Sequence, residues 1–194
     1  MEPRGIRNNN PLNIRLSKDK WQGQINGKGN IDGNSSLSSE RAGGEADIMN
    51  EPRGIRNNNP LNIRKSADRW KGLRCVQKDK TFCQFETMAY GWRAAFLLLH
   101  TYMSKYKLTT VRKIIYRWAP PNENNTAAYT NHVCYLAHLD PNQEIEFGNK
   151  LTMLQIGRAM CQVENGLQYD PINRKEWLEA LDEGYEMALR NAKK

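Results

Sequence analysis

The string EPRGIRNNNPLNIR stands twice in this 194-residue chain, at Glu2–Arg15 and again at Glu51–Arg64. The match continues at the same offset of 49 residues through Ser17/Ser66, Asp19/Asp68, Trp21/Trp70 and Gly23/Gly72. Beyond Gly72 the second copy runs into a long stretch with apolar periodicity. Beyond Gly23 the first copy runs into QINGKGNIDGNSSLSSERAGGEAD, whose only apolar side chains are Ile25, Ile31, Leu37, Ala42 and Ala46. Such a segment buries too little surface to offset its chain entropy. The repeat therefore marks where a folding unit begins. Two copies with one truncated do not make a stacked-repeat array. The expected organisation is residues 1–48 as a truncated duplicate of the domain start followed by a disordered linker, and residues 49–194 as one globular domain.

Residues 51–194 hold four of the five tryptophans and all eight tyrosines, enough for a core. They also hold 22 Lys/Arg against 15 Asp/Glu, so +7 of the net +8 lies there. A basic surface suits an anionic partner. No run of five basic residues occurs, which argues against nucleic acid. No stretch approaches the ~18 apolar residues of a membrane span, and the first residues lack the apolar core of a secretory signal. The expectation is synthesis in the cytoplasm as a monomer. Cys75, Cys83, Cys134 and Cys161 show no CxxC spacing, and the three histidines are scattered, so neither a metal site nor a cofactor is expected.

Turn and cap signals divide the domain. Asn57-Asn58-Asn59-Pro60 reads as a turn. The alternation of Leu61 and Ile63, and the looser pair Phe82 and Phe85, predict short strands at roughly 61–64, 70–76 and 82–85. Five helices are expected after them. The first runs from a Thr87 cap to Tyr106. The second runs from Thr109 or Thr110 to Pro120-Pro121, and the third from Asn125 or Thr126 to Asp140-Pro141. The fourth spans Asn149–Glu164 with Asn165-Gly166 as its stop, and the last runs from Arg174 to Asn191. The fold class is α+β and mostly α, with a small β-hairpin region.

Glu164 is the leading candidate for chemistry. It ends an apolar helix, where the macrodipole disfavours a carboxylate and Met160 and Val163 desolvate its surroundings. Both effects favour the protonated form that a general acid needs. The competing reading is a solvated glutamate at a frayed helix end. Glu123 follows Trp118 and two prolines in WAPPNENNT, where an aromatic beside Asn and Glu suits a sugar ring; a plain helix-capping loop reads equally well. Asn58 and Asn59 can bond substrate amides or simply make the turn. Tyr90 lies beside Gly91, which is off pattern within a helix and points to close approach of backbone or ligand.

The segments RGIRNNNPLNIR, FCQFETMAYGWRAAFLLLHTY, TVRKIIYRWAPPNENNTAAYTNHV and a helix ending VENG resemble, in that order over residues 52–168, a family of small phage and prophage proteins. Members are often labelled virion structural proteins and look related to lysozyme-like peptidoglycan hydrolases. NNNPLNI is also similar to a segment that follows the catalytic glutamate of bacterial glucosaminidases. In those enzymes a helix ending in the catalytic glutamate comes before that segment; nothing upstream of Asn57 reads as such a helix here, and the helix ending in Glu164 lies near the C-terminus. The resemblance then implies a circularly permuted lysozyme-like domain with Glu164 in the place of the catalytic glutamate. It implies a glycosidase of the muramidase, glucosaminidase or lytic transglycosylase type, acting on peptidoglycan after phage-mediated release or from within the virion. Glu164 would be the acid, assisted by Glu123 or by a substrate acetamido group, with Asn58, Asn59, Tyr90, Trp118, Asn124 and Tyr129 lining the glycan groove. The alternative is a non-catalytic virion or wall-binding structural protein that keeps the groove.

Overall fold

A computed structural model describes residues 51–192 of the chain. The truncated duplicate and the linker expected over residues 1–48 lie outside the described residues. A short first helix, α1 (Arg53–Arg56), opens the described part. An extended, looping segment separates it from α2 (Met88–Ser104), after which come α3 (Val111–Trp118), α4 (Thr126–Ala137) and α5 (Lys150–Asn165). Two single 3-10 turns, Leu167–Tyr169 and Pro171–Asn173, lead to α6 (Lys175–Ala192).

The helix starts follow the side chains that satisfy their free amides. Thr87, Thr110, Asn125 and Asn149 each accept from the backbone N–H three residues on, at Tyr90, Lys113, Ala128 and Thr152. Four helices therefore begin at capping residues that the sequence displays. Gly166, with a φ of 108°, stops α5, a conformation that suits only glycine. α2 packs most extensively on α6, and α5 packs on α4. Trp92, Phe96, Tyr185, Met153, Ile156 and Tyr129 form a continuous core among them.

No strand occurs among the described residues, which corrects the α+β expectation: the domain is helical, and the predicted hairpin is absent. Where the three strands were expected, the chain makes only isolated bridges, Arg64 with Phe82 and Leu73 with Phe85. Side chains interrupt the ladder. The amide of Ile63 donates to Asn59 Oδ1 at 2.8 Å, those of Thr81 and Phe82 to Asp79 Oδ1, and that of Gln84 to Gln77 Oε1. Asn62, inside the first expected strand, has a left-handed φ of 51°, which no strand residue adopts. The alternation of Leu61, Ile63, Phe82 and Phe85 records burial: all four side chains are buried, with Leu61, Ile63 and Phe85 in the core cluster. The permuted lysozyme-like architecture goes with the hairpin, and so does any argument from that fold to glycosidase chemistry or wall degradation.

The extended segment is nonetheless held firmly. Arg53 reaches both carboxylate oxygens of Asp79 at 2.6 Å, and Asn57 Nδ2 donates to the same group. Burial pushes the Asp79 carboxyl up, but Arg53, the amides of Phe82 and Thr81, and Asn57 together hold it well below the usual range. The Asn57–Pro60 turn then lies directly on α2. A side chain at Gly91 would collide with the Asn58 carbonyl and come within 2.8 Å of Pro60 Cδ, so only glycine admits this approach. That is the backbone contact its off-pattern position points to.

Candidate active site

The turn that rests on Gly91 delivers Asn62 to the C-terminal end of α5, and there it meets Glu164. Glu164 is buried, with 7% of its surface exposed, and its carboxyl is gripped from three elements. Tyr129 Oη in α4 donates to Oε1 at 3.0 Å, and Trp118 Nε1 at the end of α3 donates to the same oxygen at 3.2 Å. Asn62 Nδ2 donates to Oε2 at 3.1 Å. Burial pushes the Glu164 carboxyl up to about 7, against the downward pull of Asn62, Trp118, Tyr129 and the more distant Arg64. Desolvation wins because three neutral donors replace water without bringing a full charge into contact.

The carboxyl borders a cleft of about 270 Å³. Aromatic walls come from Trp70, Phe82, Tyr102 and Trp118, and polar groups from Asn62, Arg64, Asp68, Glu123 and Asn124. A mostly preformed concavity with apolar walls and a few convergent polar groups is what a small-molecule or glycan site looks like. Glu123 and Asn124 follow the Pro120-Pro121 connection, where the amides of both residues donate to the Pro120 carbonyl and fold the loop toward the cleft.

The structure therefore brings Glu164, Glu123, Trp118, Asn124 and Tyr129 together, with Tyr129 behind the carboxyl rather than in the cleft wall. Asn58, Asn59 and Tyr90 do not line the cleft. Asn58 Nδ2 donates to the carbonyls of Phe85 and Glu86, and Asn59 Nδ2 to those of Ile63 and Cys83. Both asparagines build the frame that carries Asn62. Tyr90 packs against Gly72. Asn62, Arg64, Trp70 and Tyr102 are site residues that sequence reasoning missed. The signal for Asn62 was available: it is a further asparagine two residues after the NNNP turn, and Asn is the residue type most tolerant of a left-handed backbone apart from glycine.

Among the described residues no cluster of three or more His, Cys, Asp or Glu side chains is placed to hold a metal ion. No helix among them is long and apolar enough to cross a membrane. No family model matches the chain. Protein P5 of Pseudoalteromonas phage PM2 is 40% identical to it over 181 residues, a match that covers 90% of this chain and 81% of the relative. At that identity and coverage, the chain belongs to the phage protein family of which PM2 Protein P5 is a member.

Proposed function

We propose that the cleft is the glycan site of a cell-wall-directed phage protein, and that Glu164 protonates the leaving oxygen of a glycosidic bond between MurNAc and GlcNAc. The observation that carries this reading is a carboxyl held at about 7 at the edge of an aromatic-walled cleft. A general acid works best when its proton affinity lies near the working pH, and burial of a carboxyl in apolar surroundings is how glycosidases raise it. In the proposed step the proton leaves Glu164, the bond from the anomeric carbon to the leaving oxygen breaks, and positive charge develops on the sugar ring. Glu123, or the acetamido group of the substrate, stabilises that charge. Water, or a hydroxyl of the sugar itself, then bonds to the anomeric carbon and gives its proton to the Glu164 carboxylate. Trp70, Tyr102 and Trp118 offer the flat apolar faces against which sugar rings stack. This reading stands on the site alone and takes nothing from a lysozyme-like fold.

A second reading has support of its own: a non-catalytic virion or wall-binding protein that uses the same cleft without cleavage. Membership of a phage protein family fits it without any chemistry. Purified peptidoglycan separates the two. Under the first reading the wild type clears a suspension of sacculi, while Glu164→Gln sediments with the sacculi and clears nothing. Under the second, both proteins sediment with the sacculi and neither clears them. No sedimentation and no clearing by the wild type would sink both.

A further inference from the structure

Two buried amide oxygens beside Glu164, Asn62 Oδ1 and Asn165 Oδ1, have no hydrogen-bond donor among the described residues. Both converge on the same point, directly over the Cα of Gly54. A methyl group there would stand 2.9 Å from Asn62 Oδ1 and 2.9 Å from the Asn59 carbonyl, with Asn165 Oδ1 closer still. Three acceptors thus face one another with only a glycine C–H between them, a weak partner at best. Buried acceptors without donors are costly and call for a reason.

The Glu164 carboxyl supplies one. Its Oε1 already accepts from Trp118 and Tyr129, so both lone pairs are engaged and an added proton goes to Oε2. The group beside Oε2 is the Asn62 amide, which presents its Nδ2 there and also reaches the Glu164 carbonyl at 3.4 Å. That orientation suits a carboxylate. A carboxylic acid wants an acceptor in the same place. Turning the Asn62 amide over supplies it and brings Nδ2 to the other two oxygens, Asn165 Oδ1 and the Asn59 carbonyl. Asn165 stays fixed throughout, because its own Nδ2 donates to the carbonyls of Pro60 and Cys161.

We propose that Asn62 and Asn165 are positioning residues for the Glu164 proton: Asn62 Nδ2 donates to the carboxylate, and on protonation the amide turns over, so that its Oδ1 accepts from the Glu164 hydroxyl and its Nδ2 donates to Asn165 Oδ1. The proposal rests on the reading of Glu164 as the proton carrier of the site. It deepens that reading by giving the proton a resting place. When the proton passes to the leaving oxygen, Asn62 turns back and stabilises the carboxylate left behind. Gly54 is required because any Cβ would fill the space into which the amide turns.

The test is a pH titration of the full chain by NMR, following the Glu164 side-chain carboxyl carbon and the side-chain amides of Asn62 and Asn165. As Glu164 takes up its proton, cross-relaxation between the Asn62 Nδ2 protons and the Gly54 Hα protons is expected to appear, with the same midpoint. In Asn165→Ala the protonated form loses its supporting acceptor, so the Glu164 midpoint is expected to fall by roughly one pH unit. An Asn62 amide that stays in one orientation across the titration would overturn the proposal, as would an unchanged midpoint in a folded Asn165→Ala. Should that variant not fold, the wild-type cross-relaxation decides alone. An amide that turns over in a protein that clears no wall would leave the switch standing and remove the glycosidase.

Discussion

A carboxyl that prefers to be protonated in the folded protein leaves a thermodynamic mark. The folded value of Glu164, about 7, lies above its ordinary value of 4.5. Its contribution to stability is therefore complete below pH 4.5 and is lost as pH rises through 7. A shift of that size corresponds to about 3 kcal/mol. Glu164→Gln removes the ionisation, so thermal melts of both proteins from pH 5 to pH 8.5 should show the wild type losing stability relative to the variant as pH rises. By the same sign, clearing should fall about tenfold per pH unit above 7, as the acid form disappears. Glu164 was legible in the sequence because it ends an apolar helix. Its grip was not. Burial raises it, and the donor on Oε2 comes from Asn62, which lies 102 residues away in sequence. The Asn58 and Asn59 amides, by contrast, are spent on backbone carbonyls. Nothing in a run of asparagines distinguishes one that braces a loop from one that reaches a carboxyl.

The helices and the extended segment differ in what their residues disclose. Thr87, Thr110, Asn125 and Asn149 announce helix starts because capping is local: the side chain bonds an amide three residues on. The same locality made the strands illusory. Leu61 with Ile63, and Phe82 with Phe85, carry an alternating burial pattern, but pairing requires that the intervening amides be free for a neighbouring strand. Asn59, Asp79 and Gln77 take those amides first, and no periodicity reports that. The segment consequently depends on its side-chain bonds, with Asp79 at the centre. Asp79→Asn should destabilise the domain by about 2–3 kcal/mol, less than a fully buried pair would because Arg53 is one-third exposed. Urea unfolding at pH 7 measures the loss. Asp79 is held below its ordinary value, so its contribution is present at neutral pH and disappears as acid protonates it. Asn62 rides on this frame, so the variant should also clear more slowly.

Across the chain, the repeat predicts a domain boundary at the second copy. Among the described residues, the donors to the Glu164 carboxyl are Asn62, Trp118 and Tyr129, all of which follow the start of the second copy. Deleting residues 1–48 should leave cooperative unfolding and clearing unchanged, as thermal melts and turbidity would show. The match to the PM2 protein spans 90% of the chain, more than the 144 residues from 51 to 194 provide (194 − 50), so it extends into the upstream part. The deletion therefore tests whether that similarity serves anything beyond the domain. The net charge of +7 over residues 51–194 should hold the protein near anionic wall polymers, so clearing should weaken between about 50 mM and 300 mM salt. If Glu164 delivers a proton to a glycosidic bond, mass analysis of fragments released from purified sacculi will read the cleavage out. Wild type should release muropeptides cut within the glycan chain, and Glu164→Gln should release none. Fragments of the same kind and yield from both proteins, or none from the wild type, would contradict the account.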